Sequence, residues 1–409
     1  MKIGQFSDSF LPVVDGVGRV VQNYADILAR RGHEVYVVTP MAFPGYRGGL
    51  PYELLDFTGL SVPNSPYKTG LPPLDAHYHA RMEHVSFDLI HAHTPFLTGL
   101  EALRLADRCA CPLVSTFHSK YYDDFYRVTR ASALAHLGVR FIVEFYERCD
   151  EVWAVSRSSA DVLRGYGYRG EIQIMENGAE IREIRESDRL RAAETFSIPD
   201  DMPVLLYVGQ LDLKKNLAHI LEAAALLQKE GRRFALLFAG QGPDREALAA
   251  KAEELGVPLR FTGHVTDRAL LDGLYQCADL FVFPSLYDTS SLVLREAAVM
   301  GTPSVVTRGG APAEVVRDGE NGLLAEDTAE SLAAAIGGAL SDPASLPRMG
   351  EAARETIPVS WETMTTRVEG RYEALAARYR DASEPRRRAL LLGRRNFLGR
   401  LREKLGEWI

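Results

Sequence analysis

Two carboxylates lie eight positions apart in the segment PSLYDTSSLVLREAAVMGTP, residues 284–303. Asp288 follows the apolar run LFVFPS, which is typical of a buried strand, and Glu296 lies in the apolar stretch that comes next. Ser290 or Ser291 is expected to begin a helix there, because serine is favoured at helix N-termini. The pattern predicts one carboxylate at the carboxyl end of a strand and a second one two turns into the following helix.

This arrangement could bind a phosphorylated sugar. The free N–H groups at the start of a helix, beside serine hydroxyls, form a seat for a phosphate. Asp288 could then accept hydrogen bonds from hydroxyl groups beyond the phosphate, and Glu296 could accept them from the paired hydroxyls of a ribose. The alternative is that Asp288 only caps the helix and that Glu296 lies on a solvated face.

Two adjacent lysines follow another predicted strand. The segment VGQLDLKKN, residues 208–216, ends an apolar run at Gly209 and then supplies Lys214 and Lys215. A lysine at that edge of a sheet can neutralise a diphosphate group as it leaves a sugar. The alternative is a solvated lysine pair near a helix start, since charged runs usually face water.

A pair of glycines precedes the first predicted helix, in SDSFLPVVDGVGRVV. Gly16 and Gly18 form a Gly-x-Gly pattern, but position 21 is Val, so the full dinucleotide pattern G-x-G-x-x-G is absent. The loop after the first strand is also longer than the tight turn of that motif. Hydride transfer therefore loses support, although glycines still let the backbone approach a phosphate closely.

The chain length and the order of its elements predict two α/β domains. A chain of 409 residues suits two domains, and short apolar runs alternate with helical patterns, as in a parallel sheet covered by helices. The polar segment 180–203 interrupts this alternation and is interpreted as the linker. The predicted strands are 2–7, 33–39, 88–93, 112–118, 151–156, 171–178, 204–209, 233–240, 259–265, 280–285 and 303–307. The predicted divisions are an N-terminal domain 1–185, a C-terminal domain 200–360, a helix 361–383 and a tail 384–409.

The composition is that of an ordinary soluble protein, with 46% hydrophobic and 25% charged residues. No apolar run reaches the ~18 residues of a membrane-spanning helix, and the first residues do not resemble a signal peptide. A formal charge of -8 argues against general nucleic-acid binding. The four cysteines lack the spacing of a zinc site, so they are predicted to be reduced thiols in a cytoplasmic protein.

The C-terminal tail differs from the rest of the chain in charge. Residues 386–409 carry eight basic and two acidic side chains, a net charge of +6, so the remainder carries -14. Their apolar residues recur at steps of three and four, as in a basic amphipathic helix that lies on an anionic membrane surface. These apolar residues are Phe397, Leu398, Leu401, Leu405 and Trp408. The alternatives are a helix that docks on the protein body or a frayed end.

Four segments together resemble the family 4 retaining glycosyltransferases of the GT-B architecture, and the resemblance extends from Met1 to about Arg380. The segments are FPSLYDTSSLVLREAAVMGTPSVV, VGQLDLKKN, ENGAE at 176–180 and GGAPAEVVRDGENGLL at 309–324. The resemblance implies two tandem Rossmann-like domains that face a cleft, with the last helix crossing back to the first domain. It also implies a nucleotide-sugar site in the C-terminal domain.

The resemblance implies roles for individual residues. Asp288 takes the position of the carboxylate that contacts the donor sugar, although the family usually has Glu there, and Glu296 takes the position that holds the nucleotide ribose. Gln210 stands where the family usually has an arginine for the diphosphate, and Ser290-Ser291 where it usually has Phe-Gly. The implied catalytic residues are His118, Lys215 and Asp288. The implied donor-binding residues are Gly16, Gln210, Lys214, Lys215, Val265, Asp288, Thr289, Ser290, Ser291, Leu292 and Glu296.

The implied reaction is metal-independent transfer of a hexose from a nucleotide-diphosphate sugar, with UDP favoured, and with retention at the anomeric carbon. The segments 93–99 and 116–127 look similar to the branch that glycosylates diacylglycerol or phosphatidylinositol, so a membrane lipid is the expected acceptor, with His93, Tyr121 and Tyr122 as its contacts. The protein is then expected to be cytoplasmic and peripheral on the inner membrane face, without a cofactor. A soluble or polysaccharide acceptor, and a non-catalytic nucleotide-sugar-binding protein, are the alternatives.

The segment HAH, residues 91–93, places two histidines on one face of a predicted strand. A metal site there is the weaker alternative, because no third ligand is evident and a catalytic zinc usually has three protein ligands.

Overall fold

The computed structural model describes most of the chain. The described residues are 1–11, 15–41, 48–61 and 68–381. The chain divides into two units: unit 1 comprises Met1–Asn177 with the segment that starts at Trp361, and unit 2 comprises Gly178–Ser360. The predicted tail, 384–409, lies outside the described residues. Within the described residues, no helix is both long enough and apolar enough to cross a bilayer.

Unit 1 contains a seven-stranded sheet in the order β3-β2-β1-β6-β7-β8-β9, with every neighbouring pair parallel. A small antiparallel pair, β4-β5, lies outside it. The elements of this unit are β1 Lys2–Phe6, α1 Gly16–Arg30, β2 Glu34–Met41, β3 Glu53–Thr58, β4 Leu60–Ser61, β5 Lys68–Thr69, α2 Ala76–Met82, β6 Leu89–Ala92, α3 Leu97–Cys109, β7 Leu113–Phe117, α4 Tyr121–Thr129, α5 Ser132–Tyr146, β8 Glu151–Ala154, α6 Arg157–Gly165 and β9 Gln173–Ile174.

Unit 2 contains a six-stranded parallel sheet in the order β12-β11-β10-β13-β14-β15, the strand order of a dinucleotide-binding fold. Its elements are α7 Glu186–Phe196, β10 Val204–Val208, α8 Leu217–Lys229, β11 Ala235–Ala239, α9 Arg245–Leu255, β12 Leu259–Gly263, α10 Arg268–Cys277, β13 Leu280–Phe283, α11 Leu292–Val299, β14 Ser304–Thr307, β15 Leu323–Ala325, α12 Ala329–Ser341 and α13 Ser345–Thr356. The two parallel sheets confirm the predicted pair of Rossmann-like domains.

The last helix returns to unit 1, as predicted. Helix α14, Trp361–Asp381, packs on α1, where the ring centroids of Trp361 and Tyr24 are 5.9 Å apart. Its apolar positions are buried because they repeat at helical spacing. These positions are Trp361, Met364, Val368, Tyr372, Leu375 and Tyr379. The core of unit 1 is therefore assembled from both ends of the chain.

All eleven predicted strands occur, several trimmed by one to four residues at an end, but the prediction missed β3 and β15 in the two main sheets. Strand β3 contains a fully buried acidic residue, Asp56, which pairs with Arg81 at 3.2 Å. An acidic residue interrupts the apolar pattern by which a short buried strand is recognised. The arginine that makes its burial possible lies in a helix 25 residues later, so the strand pattern does not reveal it. Strand β15 has only three residues, too few for a period-two pattern.

The prediction that 180–203 is only a linker is wrong. It contains helix α7, which packs against α10, and unit 2 begins at Gly178 rather than after residue 185. Arg182 forms a bidentate ion pair with Asp272 of α10, at 2.6 and 2.8 Å. The segment reads as polar because α7 is a surface helix, in which only Ala192 is buried.

The contact between α7 and α10 depends on a glycine. A Cβ atom at Gly273 would lie 2.0 Å from the Asp188 carbonyl oxygen, which belongs to the backbone of α7. We expect Gly273→Ala to lower the free energy of unfolding of unit 2 by about 1–3 kcal/mol, the usual cost of overpacking. The measurement is urea unfolding followed by far-UV circular dichroism. Gly338→Ala, at an open position of α12, is the matched control and should stabilise by about 0.5–1 kcal/mol. Equal effects of the two substitutions would contradict the packing argument.

Candidate functional site

The strand order of unit 2 reverses between β10 and β13. In an open parallel sheet, the loops that leave two such strands diverge, so ligands bind at the carboxyl ends of these strands. Lys215 follows β10 and Asp288 follows β13, so both predicted site residues lie at this edge. Gly209 ends β10 with φ +154, and a Cβ atom at Gly240 would lie 1.9 Å from its carbonyl oxygen. Glycine is therefore required where the loops after β10 and β11 meet.

Lys215 and Asp288 form an ion pair. Lys215 Nζ donates to Asp288 Oδ1 at 2.9 Å, and only 13% and 21% of the two side chains are exposed. The Ser285 hydroxyl donates to Asp288 Oδ2 at 2.5 Å. A different residue, Ser291, is the N-cap of α11. The alternative in which Asp288 only caps the helix is therefore wrong.

The N-terminus of α11 carries an unsatisfied hydroxyl. Ser291 is buried, its side chain makes no capping hydrogen bond, and its Oγ has no partner among the described residues. Burying such a group without a partner costs about 1–3 kcal/mol. Thr289, Ser290 and Leu292 are partly buried around it. The helix start thus presents backbone N–H groups without intrahelical acceptors, beside a hydroxyl that has no partner among the described residues.

Glu296 is buried rather than solvated, so that alternative is also wrong. Arg268 Nη2 donates to Glu296 Oε1 at 2.9 Å, and the Tyr275 hydroxyl donates to Oε2 at 3.3 Å. No sequence pattern indicated Arg268, because it is one arginine at the start of a helix, after the capping residue Asp267. Val265 lies three positions before Arg268 and is partly buried.

Lys214 and Gln210, the other two predicted diphosphate contacts of unit 2, do not share the Lys215–Asp288 ion pair. Lys214 Nζ lies 4.0 Å from the centre of the Tyr287 ring and 3.5 Å from Asp212 Oδ2. Gln210 is exposed, and its carbonyl accepts a hydrogen bond from the Tyr207 hydroxyl at 2.8 Å. The adjacent lysines therefore have separate anionic partners, and only Lys215 is paired with Asp288.

In unit 1 the strand order reverses between β1 and β6, and an unpredicted carboxylate lies there. Asp8 follows β1, and its Oδ2 accepts hydrogen bonds from the hydroxyls of Thr94, at 2.6 Å, and Thr98. Asp8 Oδ1 is buried without a partner among the described residues, and burial raises the pKa of this carboxyl. A single Asp after a strand resembles an ordinary loop residue, so the sequence pattern did not single it out.

Three histidines form a buried hydrogen-bonded chain beside this carboxylate edge. His93 Nδ1 lies 3.2 Å from His118 Nε2, and His93 Nε2 lies 2.7 Å from the side-chain oxygen of Gln5. His91 lies 2.5 Å from the Tyr372 hydroxyl and 2.8 Å from the Thr116 hydroxyl. Burial lowers the pKa of His118 to about 3 and holds the pKa values of His91 and His93 well below the usual range. All three imidazoles are therefore neutral.

Two of the predicted acceptor residues, His93 and Tyr121, are in contact with protein groups. Both ring nitrogens of His93 are engaged by protein groups, and the side chain is fully buried. Tyr121 packs its ring against Phe96 and Phe117 and is 5% exposed. Both side chains are buried, as that of His118 also is, so their contact with an acceptor stays a prediction. Tyr122 is partly exposed.

Two further predictions concern unit 1. Gly16 is the exposed first residue of α1, which Asp15 caps by accepting a hydrogen bond from the Gly18 N–H at 2.7 Å. The HAH histidines do share a face, with ring centroids 4.0 Å apart, but their nitrogens bind protein groups. Among the residues that the structure describes, no group of three or more His, Cys, Asp or Glu side chains is placed to hold a metal ion.

Comparison with known proteins gives matches in both units. Residues 14–183 match the family described as Glycosyltransferase Family 4, and residues 188–356 match the family described as Glycosyl transferases group 1. The alpha-monoglucosyldiacylglycerol synthase of Streptococcus pneumoniae is 26% identical over 320 residues, which cover 75% of this chain and 70% of the relative. A glycogen synthase of Mycobacterium tuberculosis is 32% identical over 289 residues, which cover 68% of this chain and 67% of the relative.

A solved structure shows the same fold. HepE of Anabaena, solved in complex with UDP, superposes with a TM-score of 0.71 over 92% of this chain and all of the other, at 20% identity. The two parallel α/β units have the GT-B fold of glycosyltransferases. The chain belongs to the glycosyltransferase family 4, with its first unit in the Family 4 match and its second in the group 1 match.

The neutral histidine chain predicts acid sensitivity of unit 1. An unfolded histidine titrates near pH ~6.5, whereas these three titrate lower in the folded chain, so the unfolded state binds more protons below that pH. The free energy of unfolding should therefore be highest above pH ~6.5 and fall by up to about 1.4 kcal/mol per pH unit for each histidine as the pH drops toward ~5.

The measurement is urea unfolding followed by tryptophan fluorescence, because Trp153 and Trp361 both belong to unit 1. His118→Gln should reduce the pH slope by about one third. The exposed His136→Gln should leave the slope unchanged. A wild-type slope in His118→Gln would contradict the assignment of a neutral His118.

Proposed function

We propose that this glycosyltransferase moves a hexose from a nucleotide-diphosphate sugar, with UDP as the nucleotide, to a hydroxyl group of a membrane lipid such as diacylglycerol. The transfer retains the configuration at the anomeric carbon and needs no metal ion. The observation that carries the donor half is the Lys215–Asp288 pair at the strand-order reversal of unit 2. HepE, which was solved with UDP, supports the nucleotide, and the monoglucosyldiacylglycerol synthase supports the acceptor class.

In this proposal the diphosphate accepts hydrogen bonds from Lys215 and from the start of α11. Lys215 Nζ moves its charge from Asp288 to a phosphate oxygen, which frees Asp288 to accept hydrogen bonds from the sugar hydroxyls. The N–H groups at the start of α11 and the unpaired Ser291 hydroxyl donate to the same diphosphate. These groups stabilise the negative charge that grows on the leaving diphosphate, the role that a metal ion has in other transferases.

Glu296 is suited to hold the ribose because its position is already fixed. Arg268 donates to one oxygen of its carboxylate and Tyr275 to the other, and a carboxylate oxygen can accept from more than one donor, so a ribose hydroxyl can bind the same group. A preorganised carboxylate loses little side-chain entropy when the nucleotide binds. Arg268 therefore acts as a positioning residue for Glu296 in the proposed site.

The neutral state of His118 fits a hydrogen-bonding role toward a sugar rather than an electrostatic one. A neutral imidazole can donate from one nitrogen and accept at the other, and His93 occupies Nε2. No second carboxylate nucleophile is assigned to the sugar. The acceptor proton passes to the departing phosphate oxygen on the same face, so catalysis depends on positioning and on stabilisation of the diphosphate charge.

The surface of helices α4 and α5 supports a membrane-bound acceptor. Four large apolar side chains there are exposed by 47–75% although the two helices pack against each other. They are Tyr126, Val128, Leu134 and Leu137. Arg127 and Arg130 are exposed on the same helical pair, within a protein of net charge -8. Apolar side chains among arginines match the interface of an anionic bilayer. In this proposal the protein is therefore peripheral at the cytoplasmic face of the membrane.

Substitution of the donor-site charges tests the donor half of the proposal. Lys215→Ala should lower kcat by about 100–1,000-fold, the usual loss when a donor to the leaving charge is removed. Glu296→Ala should chiefly raise KM for the nucleotide sugar. The measurement is nucleotide diphosphate release from UDP-, GDP- and ADP-sugars, with thermal shift as a binding readout. Lys229→Ala, on the exposed end of α8, is the matched control.

Each alternative gives a distinct result in that assay. Wild-type turnover in both site variants would contradict the assigned donor site. Activity that ignores added lipid and follows a soluble acceptor would favour the soluble or polysaccharide alternative. A thermal shift with nucleotide sugar, but no turnover with any acceptor, would favour a non-catalytic binding protein.

Vesicle flotation tests the membrane contact. Leu134→Asp with Leu137→Asp should weaken binding to vesicles that contain phosphatidylserine by about tenfold or more, because two buried apolar side chains are lost from the interface. Leu190→Asp, on a side chain of α7 exposed by 55%, is the matched control. A chain that ends at Ser383 measures the contribution of the tail. Equal flotation of all four proteins would remove both the α4–α5 surface and the tail from the proposal.

A further inference from the structure

Asn216, the residue directly after Lys215, joins three loops at the carboxyl edge of the unit 2 sheet. Its side-chain amide nitrogen donates to the Pro284 carbonyl at 3.2 Å and to Asp327 Oδ1 at 2.9 Å, which uses both of its hydrogens. Pro284 is the first residue after β13, and Asp327 lies between β15 and α12. One amide group therefore connects the loop after β10 to the loops that follow β13 and β15.

The backbone at Asn216 explains why its side chain is available for these bonds. Asn216 has the left-handed conformation, φ 58 and ψ 29, and is the N-cap residue of α8. An asparagine at that position usually accepts a hydrogen bond from the helix that it begins, but this side chain makes no capping bond. Asparagine tolerates the left-handed conformation better than most residues with a side chain. Asn216 is thus used between loops and not within its own helix.

The turn that carries Lys215 is held by its own backbone. The N–H of Lys215 donates to the Asp212 carbonyl at 3.0 Å, and the N–H of Asn216 donates to the Leu213 carbonyl at 3.0 Å. The N–H of Leu213 donates to Asp244 Oδ2 at 2.8 Å. Because successive N–H groups of the turn are bonded, the position of Asn216 sets the position of the Lys215 backbone.

The loop after β13 is the reference for both partners of the ion pair. Ser285, which follows Pro284, is buried and donates to Asp288 Oδ2. Pro284, which is also buried, accepts the bond from Asn216. Two adjacent buried residues thus hold Asp288 on one side and the lysine turn on the other. This arrangement fixes the two backbones relative to each other independently of the ion pair.

We propose that Asn216 is a positioning residue for Lys215, which keeps the lysine turn in place while the lysine changes partners. The inference rests on the proposed function, in which Lys215 leaves Asp288 for the diphosphate and the ion pair between the two loops opens. The bonds of Asn216 do not involve the lysine, so they remain when the ion pair opens. The Lys215 backbone then stays fixed, and its ammonium group reaches the leaving oxygen without a search over other positions.

Substitution of Asn216 by glycine tests this role. Asn216→Gly keeps a residue that readily adopts the left-handed backbone but removes both side-chain bonds. It should lower kcat by about 10–100-fold and change KM for the nucleotide sugar by less than about threefold, because a misplaced lysine loses transition-state stabilisation. The measurement is steady-state release of nucleotide diphosphate from a UDP-sugar. Ser197→Gly, at an exposed residue with the same left-handed backbone after α7, is the matched control and should leave both constants unchanged.

A double-variant cycle separates positioning from general stability. If Asn216 acts through Lys215, the double variant Lys215→Ala with Asn216→Gly should lose no more activity than Lys215→Ala alone, whereas a residue that merely stabilised unit 2 would add its own loss. A reversed pair gives a second readout. Asn216→Asp alone should lose activity because two acceptor oxygens then face each other, and Asp327→Asn in the same chain restores a donor and should raise kcat by at least about threefold.

The outcomes distinguish this inference from the proposed function. Wild-type turnover in Lys215→Ala would overturn the donor site and this inference with it. A large loss in Lys215→Ala with wild-type kcat in Asn216→Gly would overturn the positioning role alone, and so would additive losses in the double variant. If Asn216→Gly does not fold, as measured by far-UV circular dichroism, Asp327→Ala removes one of the two bonds and takes its place in the cycle.

Discussion

The reversal of strand order is the constraint on which the rest of the structure depends. In each sheet the chain builds outward from one strand and later returns to its other side, between β1 and β6 in unit 1 and between β10 and β13 in unit 2. The loops at these two places diverge, so backbone groups and side chains at the carboxyl ends stay uncovered. Lys215 with Asp288 occupies one such place, and Asp8 with Thr94 occupies the other. The repeated topology explains why chemistry-bearing residues gather there in both units.

The two sites stabilise their buried polar side chains in different ways. Unit 2 pairs each acidic side chain of the site with a basic one, so that Asp288 has Lys215 and Glu296 has Arg268. Unit 1 keeps its imidazoles neutral and links them through hydrogen bonds to Gln5 and other polar groups. Paired charges can exchange partners when an anionic ligand arrives, whereas a neutral chain holds its geometry without drawing ions inward. The first arrangement suits a diphosphate and the second suits sugar hydroxyls.

Sequence patterns predicted what is local and missed what depends on distant partners. The apolar runs located the central strands, and strand ends predicted that Lys215 and Asp288 would share one edge, which the 2.9 Å pair confirms. Arg268 was missed because its importance comes from Glu296, which lies 28 residues away. The linker was wrong because a helix with one buried alanine has no apolar stripe to detect. The bond of Tyr372 to His91, 281 residues earlier, likewise has no sequence signal.

Helix α14 has a consequence for biosynthesis. A ribosome releases residues 1–177 first, yet the core of unit 1 includes Trp361 and Tyr372, which are made only after all of unit 2. Unit 2 has all its strands in one continuous stretch and can close its core as it emerges, whereas the nascent first unit keeps the α1 surface around Tyr24 uncovered for that whole interval. The part of the protein that is translated first is thus the last to become complete, and its open apolar surface is the one that chaperones would meet.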